Sequence, residues 1–156
     1  MTVLPETLLG EIAGHARSTY PAECCGIVIA DSEGNPRFVP IPNIAGTAGA
    51  QGTSQRNGRD GYVMDPKTLL RALSRAEEEG GSLRVIVHSH PDVGAYFSKE
   101  DRDIALGGGS EPLWPGVDYL VVSCRANGVD DARLYSWDAS RSDFKEKQVP
   151  ITSAFR

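Results

Sequence analysis

The sequence predicts an α/β fold with a mixed central β-sheet flanked by helices. Along the chain, the segments run as a helix, two strands, a helix, a strand, a short helix and two further strands, an order typical of layered α/β domains. The middle strand, LRVIVHSH at 83–90, has a continuous apolar interior, as expected of a strand buried on both faces. With 156 residues, the chain is long enough for one domain with a hydrophobic core.

The first third of the chain predicts a helix followed by a hairpin. Residues 3–18 place apolar or neutral side chains on one helical face, namely Leu4, Leu8, Ile12, His15 and Ala16. His15 is expected to be structural. The runs CCGIVIAD and RFVPIPN then predict two strands joined by a turn at Gly34 and Asn35, with prolines that mark the second as an edge strand.

The next segment, residues 43–61, is rich in Gly, Ala, Ser and Thr and has no apolar period. It predicts a flexible loop within one domain, since neither flank could form a core alone. The loop is a candidate for substrate contact, and a surface excursion without a role is the alternative.

The second helix is the clearest element in the sequence. In DPKTLLRALSRAEEEGG, Asp65 is the predicted N-cap and Pro66 the first helical residue, while glycines 80 and 81 end the helix. Its buried stripe is predicted to consist of Leu69, Leu70 and Leu73.

After the central strand, SKEDRDIAL at 98–106 predicts a short helix that ends at Gly107. Residues 118–124 and 132–138 predict two more strands. We expect one domain over residues 1–140 and a polar, loosely held C-terminal tail over 141–156.

Composition excludes several classes of function. A net charge of −5 gives no electrostatic reason to expect a nucleic-acid partner. No apolar stretch approaches the roughly 20 residues needed to cross a bilayer, and no signal peptide is evident, so we expect no membrane association and a cytoplasmic protein. The odd number of cysteines, Cys24, Cys25 and Cys124, predicts buried thiols rather than disulfides.

The stretch VIVHSHPDVGAYFSKEDRD carries a candidate metal site. His88 and His90 lie two apart on a strand and therefore point to the same face, and Asp101 follows on the short helix. Two imidazoles, one carboxylate and one open position form the ligand set of a catalytic zinc. Alternatively, Ser98 and Asp101 form only a capping box at the start of the helix, although capping and metal binding are compatible.

A hydrolytic zinc site also needs a proton acceptor that does not bind the metal, most often a glutamate. Glu23 is the polar residue in the apolar context YPAECCGIVI and is the candidate. The alternative is a solvated carboxylate at a turn.

Together these residues resemble the JAMM motif of the MPN-domain metalloproteases. His88, His90, Ser98 and Asp101 match its H-x-H, seven residues, S, two residues, D pattern, and Glu23 lies in the matching P-x-E-x-C-G context. The resemblance extends from about residue 4 to residue 138.

The resemblance implies a single MPN domain, with cytidine-deaminase-like layering, that acts as a zinc-dependent peptidase. Such enzymes hydrolyse a peptide or isopeptide bond after the C-terminal Gly-Gly of a ubiquitin-like protein. His88, His90 and Asp101 would bind one Zn²⁺, Glu23 would transfer the proton, and Ser98 would donate a hydrogen bond to the oxyanion.

Departures from the motif place the chain near the small prokaryotic members. Tyr96 and Phe97 precede Ser98, where eukaryotic members often carry a tryptophan, and the insertions that grip two ubiquitins are missing. The implied substrate is a ubiquitin-like sulfur-carrier protein. The alternatives are a peptidase of cell-wall or phage-tail peptides and a non-catalytic MPN scaffold. A zinc deaminase would need H-x-E and P-C-x-x-C motifs, which are absent.

Overall fold

The computed structural model describes residues 3–47, 58 and 61–155. It confirms the α/β fold: a six-stranded mixed sheet carries helices on both faces. The helices are α1 (Glu6–Thr19), α2 (Pro66–Glu78) and α3 (Lys99–Leu106). The strands are β1 (Cys25–Ala30), β2 (Pro36–Ile41), β3 (Ser82–Pro91), β4 (Asp118–Arg125), β5 (Gly128–Asp138) and β6 (Asp143–Gln148), and a short 3-10 helix covers Ser153–Phe155.

The strand order is β2-β1-β3-β4-β5-β6, so β3 lies in the interior of the sheet. Every neighbouring pair is antiparallel except β3 and β4, which are parallel and are connected through α3. Val85 and Val87 of β3 pack in the cluster that contains α1 side chains, whereas Ile86 packs in the clusters on the opposite face. His88 and His90, in phase with Ile86, therefore belong to the α2 and α3 face.

The second helix begins as predicted. Asp65 caps it by accepting a hydrogen bond from the Thr68 amide, and Pro66 is its first residue. Leu69 and Leu73 pack against Ile27, Ile29 and Ala76. The prediction that Leu70 is buried is wrong, because its side chain is 66% exposed. It lies about 100° around the helix from Leu69, outside the i, i+4, i+7 face that contacts the sheet.

The prediction of a loosely held tail over 141–156 is wrong. Residues 143–148 form β6, which pairs with β5 at the edge of the sheet. Phe155 is fully buried against α1, and the Arg17 guanidinium donates a 2.7 Å hydrogen bond to its carbonyl oxygen. The C-terminal segment is thus paired with the sheet through β6 and anchored in the core by Phe155.

Two smaller predictions, the hairpin and the buried thiols, are confirmed. The hairpin forms with β2 at the edge and Gly34 in a left-handed conformation at the turn. Cys24, Cys25 and Cys124 are free buried thiols, and burial raises the pKa of Cys24 to about 12. Among the described residues, no helix combines the length and apolarity that a membrane crossing requires. Most of the predicted loop, residues 48–57 and 59–60, lies outside the described residues.

Candidate metal centre and active site

The end of β3 presents two imidazoles to one point. His88 and His90 are both buried, with the two Nε2 atoms 3.2 Å apart. Between β1 and β4 the strand is hydrogen-bonded on both sides, which fixes the backbone that carries them. His90 Nδ1 lies 2.9 Å from the Gly94 carbonyl oxygen. Because a carbonyl only accepts, Nδ1 carries the proton and the lone pair of neutral His90 is at Nε2.

The first turn of α3 brings the carboxylate to the same point. Ser98 and Asp101 form a capping box: Asp101 N donates to Ser98 Oγ, and Ser98 N donates to Asp101 Oδ2, both at 3.0 Å. The same Oδ2 atom lies 3.3 Å from Nε2 of His88 and 3.3 Å from Nε2 of His90. The capping box and the convergence on the histidines therefore coexist.

The three atoms form a nearly equilateral triangle with sides of 3.2, 3.3 and 3.3 Å. Two ligands about 2.0 Å from a tetrahedral Zn²⁺ are separated by about 3.3 Å, so the spacing fits three of four zinc positions. Two imidazoles and one carboxylate also match the protein ligands of a catalytic zinc with an open position.

The charges of this triangle are coupled. Burial alone would raise the pKa of Asp101, but hydrogen bonds with His88 and His90 outweigh it and hold that pKa well below its usual range. Burial lowers the pKa of His90, and the hydrogen bond to Asp101 reverses the effect, so the net shift is upward. The site thus keeps an ionised carboxylate in a buried position, which favours a cation beside it.

Glu23 reaches the same site from the segment between α1 and β1. It is buried, and its carboxylate, His88 and His90 offer ligand atoms that lie within 4.8 Å of one another. The alternative interpretation, a solvated turn carboxylate, is wrong. Cys25, two residues after Glu23, pairs in register with His88. The antiparallel pairing of β1 and β3 therefore brings the Glu23 carboxylate to the histidines.

Ser89, between the two histidines, fixes that arrangement. Its Oγ accepts a 2.8 Å hydrogen bond from the Cys24 amide, and its own amide donates to the Cys24 carbonyl at 3.1 Å. The residue after Glu23 is therefore tied directly to the residue between the histidines.

Sequence reasoning missed three residues of the site. The Tyr62 ring stacks on His88 with centroids 4.7 Å apart, and the Tyr96 ring meets His90 edge-on at 5.0 Å. Asn43 donates a hydrogen bond to the Glu23 carbonyl. An asparagine at the end of an edge strand was the only local signal for Asn43, and Tyr62 had none. Tyr96 had been noted only as a departure from the tryptophan that eukaryotic members often carry before the motif serine.

An apolar groove of about 480 Å³ adjoins the metal centre on the α2 and α3 face. Its floor includes Ile27, Ile86 and Tyr119 from the sheet, and Tyr62 extends from it to His88. Leu113 and Trp114 line its outer side and are 59% and 40% exposed. The groove offers apolar surface that is linked to the candidate ligand His88 by the Tyr62 ring.

Comparison with known proteins gives consistent matches. A desampylase from Haloferax volcanii is 26% identical over 148 residues, covering 94% of this chain and 90% of that protein. A "Probable TtuB-protein conjugate cleaving protease" from Thermus thermophilus is 34% identical over 132 residues, covering 85% and 73%. The solution structure of a protein from Desulfitobacterium hafniense has a TM-score of 0.65 at 21% identity, covering 93% and 88%, and supports the fold alone.

The family comparison agrees with the resemblance found in the sequence. The model of the family described as prokaryotic homologs of the JAB domain matches residues 5–138, which include α1, the whole metal centre and β5. The match confirms the JAMM and MPN resemblance. The chain belongs to the family of prokaryotic homologs of the JAB domain.

Proposed function

We propose that the protein is a zinc-dependent metallopeptidase that hydrolyses a peptide or isopeptide bond after the C-terminal Gly-Gly of a ubiquitin-like sulfur-carrier protein. One observation carries the proposal: a buried triangle of ligand atoms with the spacing that zinc requires, beside a second buried carboxylate. The names of the two relatives, a desampylase and a conjugate cleaving protease, support the substrate class.

In this proposal His88, His90 and Asp101 hold the metal. When bound, Zn²⁺ supplies Lewis acidity, which polarises a carbonyl and lowers the pKa of a water toward about 7. The capping box orients the Asp101 carboxylate, because Ser98 N donates to the same oxygen that faces the histidines. Gly94 orients His90 in the corresponding way.

Glu23 is the proposed general base. It accepts the proton of the attacking water and delivers it to the leaving amine. This role needs an ionisable carboxylate that is close to the ligands and is not itself bound to the metal. Glu23→Gln should retain bound zinc and reduce turnover by about 10²- to 10⁴-fold, as measured by metal content and a single-substrate assay. Undiminished turnover in this variant would move the role to another carboxylate, such as Asp92 or Glu100.

Ser98 is the proposed oxyanion donor. Its Oγ accepts the Asp101 amide proton, and a hydroxyl has one donor in addition to its acceptor positions. The O–H can therefore donate to the oxygen that becomes negative during hydrolysis, and this role requires no change in the cap.

The surroundings of the ligands suit a glycine-ended substrate. A tyrosine ring lies against each ligand imidazole, Tyr62 on His88 and Tyr96 on His90, which narrows the approach to the metal. Residues without side chains fit such an approach more easily than bulky ones. The adjoining apolar groove is then available to the folded part of the carrier.

The proposal is tested by intact-mass analysis of a Gly-Gly-ending sulfur-carrier protein. Two substrates are needed: one with a single extra C-terminal residue, and one joined to a lysine side chain. We expect release of the free carrier, abolished by a zinc chelator and by Asp101→Asn. Asp130→Asn is the matched control, because Asp130 is exposed and pairs only with Arg125 among the contacts described.

Two results would contradict the proposal. Cleavage that persists after zinc removal would exclude the metallopeptidase mechanism. Intact carriers together with cleaved cell-wall or phage-tail peptides would keep the metal site and replace the substrate class.

A further inference from the structure

Asn43 is half-buried just after β2, and its amide group makes four hydrogen bonds to the backbone. Nδ2 donates to the carbonyl oxygens of Glu23, at 2.9 Å, and Gly61, at 3.2 Å. Oδ1 accepts from the amides of Ala45 and Val63, both at 3.0 Å. Both N–H donors and both acceptor positions of the side-chain amide are used. A flipped amide would place its NH₂ group against backbone N–H groups and its oxygen against backbone carbonyls, so the partners fix its orientation.

The first of these bonds completes the support of the Glu23 backbone. The Glu23 amide donates to the Gly58 carbonyl, and its carbonyl accepts from Asn43. The following residue, Cys24, is tied to Ser89 between the two histidines. The peptide group between Glu23 and Cys24 is thus held by Asn43 at its carbonyl and by Ser89 of β3 at its amide, while the Glu23 amide is held by Gly58.

Two of the other bonds connect the same amide to the neighbours of Tyr62, whose ring packs on His88. Gly61 and Val63 are the two neighbours of Tyr62, and Asn43 binds the backbone of both. The Tyr62 ring stacks on His88. One side chain therefore sets the spacing between the Glu23 backbone and the aromatic ring that packs on a candidate ligand.

We propose that Asn43 is a positioning residue for Glu23, which it places relative to His88 and His90 without touching the reacting atoms. The inference rests on the proposed function, because it assigns a purpose to the position of the general base. A displacement of about 1 Å in a catalytic group can cost about 100-fold in rate, so a residue that fixes the backbone of the base should affect turnover.

The main test is Asn43→Asp, which has nearly the same shape, keeps the acceptors for Ala45 and Val63 and loses both N–H donors. We expect kcat to fall about 10- to 100-fold with KM changed by less than about threefold. Zinc stoichiometry and the absorption spectrum of the cobalt-substituted protein should stay as in the parent. Amide hydrogen exchange over residues 22–25 should become faster. Asn127→Asp, in the exposed turn between β4 and β5, is the matched control and should leave all these quantities unchanged.

A double variant separates positioning from general destabilisation. If Asn43 acts through Glu23, Asn43→Asp should cause no further loss of turnover in a Glu23→Gln background, because residues that act as a unit are not additive. Asn43→Ser provides a second substitution if the aspartate variant does not fold. It has one hydroxyl donor in place of two N–H donors, so its kcat should fall below that of the parent while bound zinc stays unchanged.

Several outcomes would overturn the inference. A parent-like kcat in a folded Asn43 variant would do so, as would a loss of bound zinc. The same would follow if Asn43→Asp reduced turnover in the Glu23→Gln background by the same factor as in the parent. If the parent cleaves no carrier, the proposed function fails, and the exchange measurement still decides the role of Asn43. Unchanged exchange over residues 22–25 would then refute it.

Discussion

Replacement of Ser98 separates a structural from a chemical role of one hydroxyl. In Ser98→Ala, the Asp101 amide loses its 3.0 Å acceptor at the start of α3. Loss of such a cap costs about 1 kcal/mol, which lowers the Tm of a domain of this size by about 2–4 °C. Loss of an oxyanion donor costs more, about 2.7–4 kcal/mol of activation free energy, or 10²- to 10³-fold in kcat.

Ser98→Gly distinguishes the two roles, because glycine at an N-cap costs only a few tenths of a kcal/mol. We expect its Tm to stay within about 1 °C of the parent while its kcat stays as low as that of Ser98→Ala. Ser98→Thr, which keeps a hydroxyl, should recover part of the turnover. Calorimetry and the carrier-cleavage assay on zinc-loaded protein measure the two quantities separately. A glycine variant with parent-like kcat would refute the chemical role and leave Ser98 as a cap.

Two further predictions concern stability. In the metal-free protein, the Asp101 pKa is lowered from 3.8 and the His90 pKa is raised from 6.5. The lowered Asp101 pKa stabilises the fold above pH 3.8, and this stabilisation is lost as the pH falls through the pKa of the folded state. The raised His90 pKa stabilises the fold below pH 6.5, and this stabilisation is lost as the pH rises through the pKa of the folded state. In metal-free protein, Asp101→Asn should therefore lower the urea midpoint of unfolding mainly between about pH 4 and 6.5. Equal urea midpoints for the parent and the variant across that range would contradict the coupling. Phe155→Ala should lower the free energy of unfolding by about 3–5 kcal/mol because the ring is fully buried, which corresponds to a Tm loss of about 6–20 °C by calorimetry. A Tm loss below about 2 °C would show that the C-terminal segment adds little to stability.

The elements that the sequence predicted well are those with strong local signals. Asp65 and Pro66 start α2 through contacts within one turn, and the apolar interior of β3 is evident without any knowledge of its neighbours. Strand β6 has no such signal, since DFKEKQ is polar and all its residues except Phe144 are exposed. An edge strand of this kind is defined by backbone pairing with β5, which a pattern of side chains does not reveal.

The candidate site divides in the same way. The histidines and Asp101 could be grouped from strand and helix periodicity, because they lie on consecutive elements. Spacing alone favoured a solvated Glu23, and only the family resemblance placed it at the metal. Its position depends on the pairing of β1 with β3, which joins residues as distant as Cys24 and Ser89, 65 apart in the chain. The one local signal at Asn43 did not reveal its role, because its four partners are backbone groups that are brought together only by the fold.

The separation of Glu23 from the proposed ligands means that metal binding and hydrolysis depend on different parts of the chain. His88, His90 and Asp101 lie on the consecutive elements β3 and α3, whereas Glu23 comes to them only through the pairing of β1 with β3. In the proposed function, a substitution between α1 and β1 can therefore abolish hydrolysis while all three ligands remain. A descendant with such a change would keep its metal and act as a binding protein, so enzyme and scaffold can diverge from this fold by one short segment.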